Sequence, residues 1–115
     1  MKFRTYILVL MLLPVVVLAE EVTIDSISGK WLFTHMILDG ETEQPVNIVM
    51  EFLPNGEIIN FNAAGDEMSH GTFSVKSQVI SYSDKNGDQT WKVVEFGDDR
   101  LHVDNSGAEM FFKKQ

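Results

Sequence analysis

From Gly29 to Lys114 the chain repeats one pattern. A short run rich in β-branched and aromatic residues ends in a turn signal, about every ten residues. That rhythm points to an all-β sandwich or barrel. No segment carries the 3.6-residue periodicity of an amphipathic helix of ordinary length. The runs read as eight strands, over 29–38, 46–53, 57–63, 68–76, 78–83, 89–96, 100–104 and 108–114. Asp39-Gly40 and Pro45 occupy the first linker. Pro54-Asn55-Gly56 is a turn with a mechanism: Pro presets φ, and Asn-Gly accepts positive φ. Gly65-Asp66, the stretch 84–88, Gly97-Asp98-Asp99 and Asn105-Ser106-Gly107 mark the later turns. A short helical turn fits within Asp25 to Ser28.

Consecutive strands with an even count and short links suit an antiparallel up-and-down meander. Closing it into a barrel removes the exposed edges. Strand alternation then assigns faces. The expected inward set is Trp31, Phe33, Ile48, Met50, Phe52, Ile59, Phe61, Phe73, Val75, Ile80, Tyr82, Trp91, Val93, Leu101, Val103, Met110 and Phe112. The opposite faces read Thr34, Glu51, Asn60, Asn62, Ser74, Ser81, Lys92 and Glu109, a list that suits solvent. Val93-Val94 before Phe96 breaks parity and marks an expected bulge. Phe111 and Phe112 cannot both face in. So many large inward aromatics on short strands leave little room. The interior is expected to be filled or nearly so, with any pocket near one mouth.

The first nineteen residues stand apart. Lys2 and Arg4 precede an apolar run from Tyr6 to Leu18 that holds Pro14, and Val17-Leu18-Ala19 has the form of a cleavage site. This is the layout of a secretory signal peptide, with export to the periplasm or beyond and a mature chain beginning at Glu20. The alternative, an uncleaved anchor, requires roughly 20 apolar residues. Once Lys2 and Arg4 are removed, seventeen acids face seven basic residues, a net charge of −10. Such a domain is a poor partner for nucleic acid or an anionic membrane. Cysteine is absent, which removes disulfides, thiol chemistry and a lipidated N-terminal cysteine. Stability must come from the apolar core.

Gly29-Lys30-Trp31 opens the first strand as a G-x-W, and the later strands carry a family pattern in order. Phe52 to Gly56 forms an F-x-x-N-G turn, Gly71 to Val75 reads G-x-F-x-V, Trp91 to Val93 an aromatic-x-V, and Asp99 to Val103 reads D-x-L-x-V. The chain closes on Phe112-Lys113-Lys114. Together these resemble the short bacterial lipocalin-like domains, over nearly all of the chain after residue 19. The resemblance implies a Gram-negative source and a single barrel over 29–115, preceded by an arm over 20–28. It also implies that Gly29, Trp31 and Lys114 close one end of the barrel, Lys114 lying over the indole. The other reading of Lys114 is a frayed, solvated terminus. The chain lacks the disulfide and C-terminal helix of full-length lipocalins.

Three functions fit such a barrel. The first is a monomeric binding protein for a small apolar ligand, with Trp31, Phe33, His35, Met50, Phe61, Tyr82 and Trp91 as candidate contacts. The second is a protein-interaction module such as a periplasmic protease inhibitor, with Glu20 to Ser28 as a free arm. The third is an enzyme, which requires a polar cluster in the mouth around His35. His35 continues the inward series, so it is a pocket group, a satisfied core histidine, or a residue at a wet barrel end. His70 and His102 have outward parity and show no spacing that brings the three histidines together, so no zinc site is read. Asp84, Asn86, Asp88 and Glu95 mimic a calcium loop, but Gln89 stands where that loop needs glycine. No cofactor is implied and no catalytic residue is assigned.

Overall fold

The computed structural model describes residues 21–115. The segment whose sequence reads as a signal peptide therefore lies outside the described residues. A four-residue helix, α1 (Ile24–Ile27), leads into eight strands: β1 (Gly29–Leu38), β2 (Thr42–Phe52), β3 (Glu57–Phe61), β4 (Glu67–Lys76), β5 (Val79–Asp84), β6 (Gly87–Phe96), β7 (Arg100–Asn105) and β8 (Ala108–Lys114). Each strand pairs antiparallel with the next, and β8 returns to β1, so the barrel is closed in chain order. Among the described residues no helix is long and apolar enough to cross a membrane.

Inward alternation holds on six strands. Trp31, Phe52, Ile58, Ile80, Trp91, Leu101 and Val103 are almost wholly buried. Aromatic rings tie this core together: Phe52 meets Phe73 edge-on at 5.0 Å, and Trp91 stacks between Tyr82 at 5.3 Å and Phe112 at 5.9 Å. The expected bulge at Val93-Val94 is present. Register shifts between Val93 and Glu95, Val94 turns out, and Phe96 turns in. Phe112 is buried and Phe111 lies on the outer face.

Two strands correct the expected faces. On β3 the buried residues are Ile58 and Asn60, while Ile59 and Phe61 take the other face. The β2–β3 hairpin decides this. Leu53 N–H donates to Glu57 O at 2.8 Å, which leaves a three-residue loop and sets Phe52 opposite Ile58 and Met50 opposite Asn60. Cross-strand partners share a face, so the buried Met50 and Phe52 carry Asn60 and Ile58 inward. On β1 the register shifts between Phe33 and His35 against both neighbours. Against β8 the extra residue lies on β1, and against β2 it lies on β2. Beyond this irregularity the parity of β1 is flipped, so His35 leaves the core face and Met36 packs against the core. Pro45, expected in a linker, lies inside β2 opposite His35. It has no N–H to give the ladder, and a bulge is where a strand tolerates that.

The segment before β1 is not a free arm from Val22 onward. Thr23 caps α1, accepting from Ser26 N–H at 3.0 Å, while Thr23 N–H donates to Ser26 Oγ at 2.8 Å. The turn delivers Ile27, wholly buried, and Val22, almost so, into the barrel core. Ile27 O accepts from Trp31 Nε1 at 2.8 Å, and Val22 N–H donates to Gln78 Oε1 at 2.8 Å. Lys114 Nζ sits 4.7 Å from the Trp31 ring and donates to Ser28 O at 2.9 Å. Gly29 makes room for this: its φ is +127°, and a Cβ there would meet Lys114 Nζ. One barrel end is thus plugged by α1, Trp31 and Lys114.

Candidate functional site: the open mouth of the barrel

The other end is open. A cavity of about 250 Å³ lies there, between the start of β4 and the β5–β6 hairpin. Phe33, Ile48, Met50, Trp91 and Met110 form its apolar floor and wall. Asn60, Ser69, Tyr82, Asp84 and Gln89 line the polar side, with Met68, 46 % exposed, at the rim. The floor exists because β1, β2, β6 and β8 each turn an alternate apolar residue inward at this level.

Ser69, Asn60, Tyr82 and Asp84 form one hydrogen-bonded chain. Tyr82 donates its only proton to Asp84 Oδ2 at 2.7 Å. Its oxygen accepts from Asn60 Nδ2 at 3.1 Å, and Ser69 Oγ accepts from the same amide nitrogen at 3.0 Å. Asn60 Oδ1 is buried and has no partner. An unmet buried acceptor costs about 1–3 kcal/mol, so it stands out in an otherwise satisfied core. Asp84 Oδ1 accepts from Asn86 N–H at 2.7 Å, fixing the carboxylate in the β5–β6 hairpin. Gln89 Oε1 accepts from both Trp91 Nε1 at 2.8 Å and Asn105 Nδ2 at 3.0 Å, which locks the indole plane. Burial, reinforced by the Asp84 hydrogen bond, pushes the Tyr82 phenol up to about 12. The Tyr82 hydroxyl, with the Asn86 N–H behind it, holds the Asp84 carboxyl below its ordinary value.

Of the seven candidate ligand contacts, Phe33, Met50, Tyr82 and Trp91 converge on this cavity. Trp31 lies at the plugged end. Phe61 is on the outer face, where Lys30 Nζ lies 5.7 Å from its ring. His35 is outside as well, stacked on Phe111 at 4.4 Å, and His102 stacks on Phe111 at 4.1 Å. Two of the three histidines are therefore partners of one phenylalanine, across β1, β8 and β7, with Glu43 3.8 Å from His35 and Glu109 2.9 Å from His102. His70 is exposed and pairs with Glu67. Among the described residues no three histidine or acidic side chains form a group able to hold a metal ion. Asn60 and Asp84 were not among the sequence candidates. Loop length between β2 and β3 carries the signal for Asn60. Asp84 was legible only as a turn residue and as the first position of the rejected calcium-loop pattern.

A closed eight-stranded meander, plugged at one end and open at the other, is a lipocalin-like barrel in fold. Two solved structures are similar to it: a lipocalin-like protein from Bacteroides uniformis and an uncharacterized protein from Bacteroides eggerthii. The first has a TM-score of 0.68 at 22 % identity, covering 78 % of this chain and 99 % of the other. The second has a TM-score of 0.67 at 21 % identity, covering 76 % and 98 %. At such identity the likeness is one of fold. No family model matches the sequence, and no curated protein does.

Proposed function

We propose that this protein is an exported, non-enzymatic binding protein that holds a small, mainly apolar ligand in the open mouth of its barrel. The observation that carries the reading is the cavity itself. Large buried side chains fill the rest of the core, yet about 250 Å³ remains at the mouth, walled by Phe33, Met50, Trp91 and Met110. That is just under the roughly 300 Å³ at which ligand pockets begin, so the occupant is small or enters by one end. Binding is favoured over catalysis because the mouth has one carboxylate and no histidine. Its phenol is already spent on that carboxylate. The segment from Val22 to Ser28 is anchored in the core by Val22 and Ile27, which deprives an inhibitor of the free arm it would insert.

Naphthalene titration, followed by tryptophan fluorescence, tests this. Saturable quenching by protein purified without refolding is expected, and it disappears in Met50→Trp, which fills the cavity. Quenching that survives in that variant sinks the reading. Export is tested separately by the mass of the protein recovered from the periplasm, expected to begin at Glu20.

A further inference from the structure

The proposal rests on the mouth being a ligand site, and concerns what the ligand must carry. Along the chain Asn60–Tyr82–Asp84 the donors are used up. Both hydrogens of the Asn60 amide are aimed at Ser69 and Tyr82, and the single proton of Tyr82 goes to Asp84. This also fixes the orientation of the amide. Tyr82 has no second proton to offer, so the nitrogen and not the oxygen of Asn60 faces it. What remains is acceptor capacity: the unpartnered Asn60 Oδ1, the Tyr82 lone pair and the Asp84 carboxylate. Beside this cluster, the Ser69 hydroxyl can serve either way and the Gln89 amide nitrogen is a donor. Opposite stand the ring of Trp91 and the apolar floor.

We infer that the mouth selects a small amine with an aromatic or aliphatic body, its ammonium group seated among Asn60, Tyr82 and Asp84. An ammonium supplies three donors and no acceptor, which matches an acceptor-only cluster. A cation beside the Tyr82 and Trp91 rings gains a further cation–π attraction. The acidic surface, −8 for the full chain, attracts a cation from a distance. Asn60 Oδ1 is closed to water in the free protein, so a rim side chain must yield for a donor to reach it. Met68 lines the same cavity, is exposed, and has the unbranched side chain that adapts most readily.

The test uses three probes of matched size: 2-phenylethylamine, 2-phenylethanol and n-propylbenzene. Each is titrated calorimetrically into protein expressed from the full sequence. The amine is expected to bind at least about tenfold tighter than the hydrocarbon, with the alcohol between them. Asp84→Asn keeps the hairpin acceptor and should erase most of the amine's margin over the alcohol. In the unmutated protein, the Asn60 side-chain amide resonance should shift with amine and not with hydrocarbon. Equal or tighter binding of propylbenzene overturns the inference and leaves the apolar site standing. An amine margin unchanged in Asp84→Asn, or an unmoved Asn60 resonance, also overturns it. If none of the three binds, the site reading falls with it.

Discussion

Single residues here do work that their type alone does not announce. Tyr82 is the example. Its phenol is raised to about 12, mainly because burial penalises the phenolate. A group whose pKa is higher folded than unfolded contributes stability that is complete below the unfolded value, near 10, and is lost as pH rises towards 12. Urea midpoints of the protein should therefore fall between pH 10 and 12, and fall less in Tyr82→Phe. Tyr82 is the only tyrosine after residue 19, so tyrosinate absorbance of a chain that begins at Glu20 reads it directly. Asp84 acts in the opposite direction: its contribution holds above 3.8 and fades as pH drops below it. Gly71 is a second case. A Cβ there would lie 2.6 Å from Ser83 O, a backbone atom that cannot swing away. Gly71→Ala should cost about 1–3 kcal/mol in denaturant unfolding, as overpacking does.

Pairs of strands set what single residues face. The β4–β5 hairpin turns on Ser77 and Gln78, both at positive φ, 51° and 63°. Left-handed backbone costs an ordinary residue roughly 1–2 kcal/mol, and glycine gives back about 0.5–1 kcal/mol of that through its looser unfolded chain. Ser77→Gly should therefore raise stability by up to about 1 kcal/mol. Gln78→Gly should gain less or lose, because the Gln78 side chain accepts from Val22 N–H. Differential scanning of the two variants separates the effects. The seam between β1 and β8 carries Lys114 over Trp31, and Lys114→Met should lose about 0.5–2 kcal/mol of cation–π attraction.

The whole molecule depends on its plug. Ile27 is fully buried, although it precedes the first strand. Ile27→Ala should cost about 2–5 kcal/mol, the range for emptying a core site. It should leave the mouth cavity, at the far end, intact. A loss of stability below 1 kcal/mol would mean that α1 is an accessory and not part of the core.

The sequence by itself determined the strands, their order and the closure of the sheet, because turn residues and two-residue alternation are local signals. It also placed Phe33, Met50, Tyr82 and Trp91 inward, since each lies on a stretch of strand that keeps its alternation, Phe33 and Trp91 ahead of the irregularities on β1 and β6. Only the tertiary structure decided the rest. Phe61 and Asn60 exchanged faces because a three-residue hairpin loop, not the apolar count of β3, sets which of its residues oppose Met50 and Phe52. His35 left the interior because an irregularity on β1 between Phe33 and His35, with a register shift against each neighbour, reversed the parity beyond it. The meeting of His35, Phe111 and His102, and of Asn60, Tyr82 and Asp84, joins strands far apart in the chain. Such contacts follow from register, and register is a property of paired strands that no single strand carries.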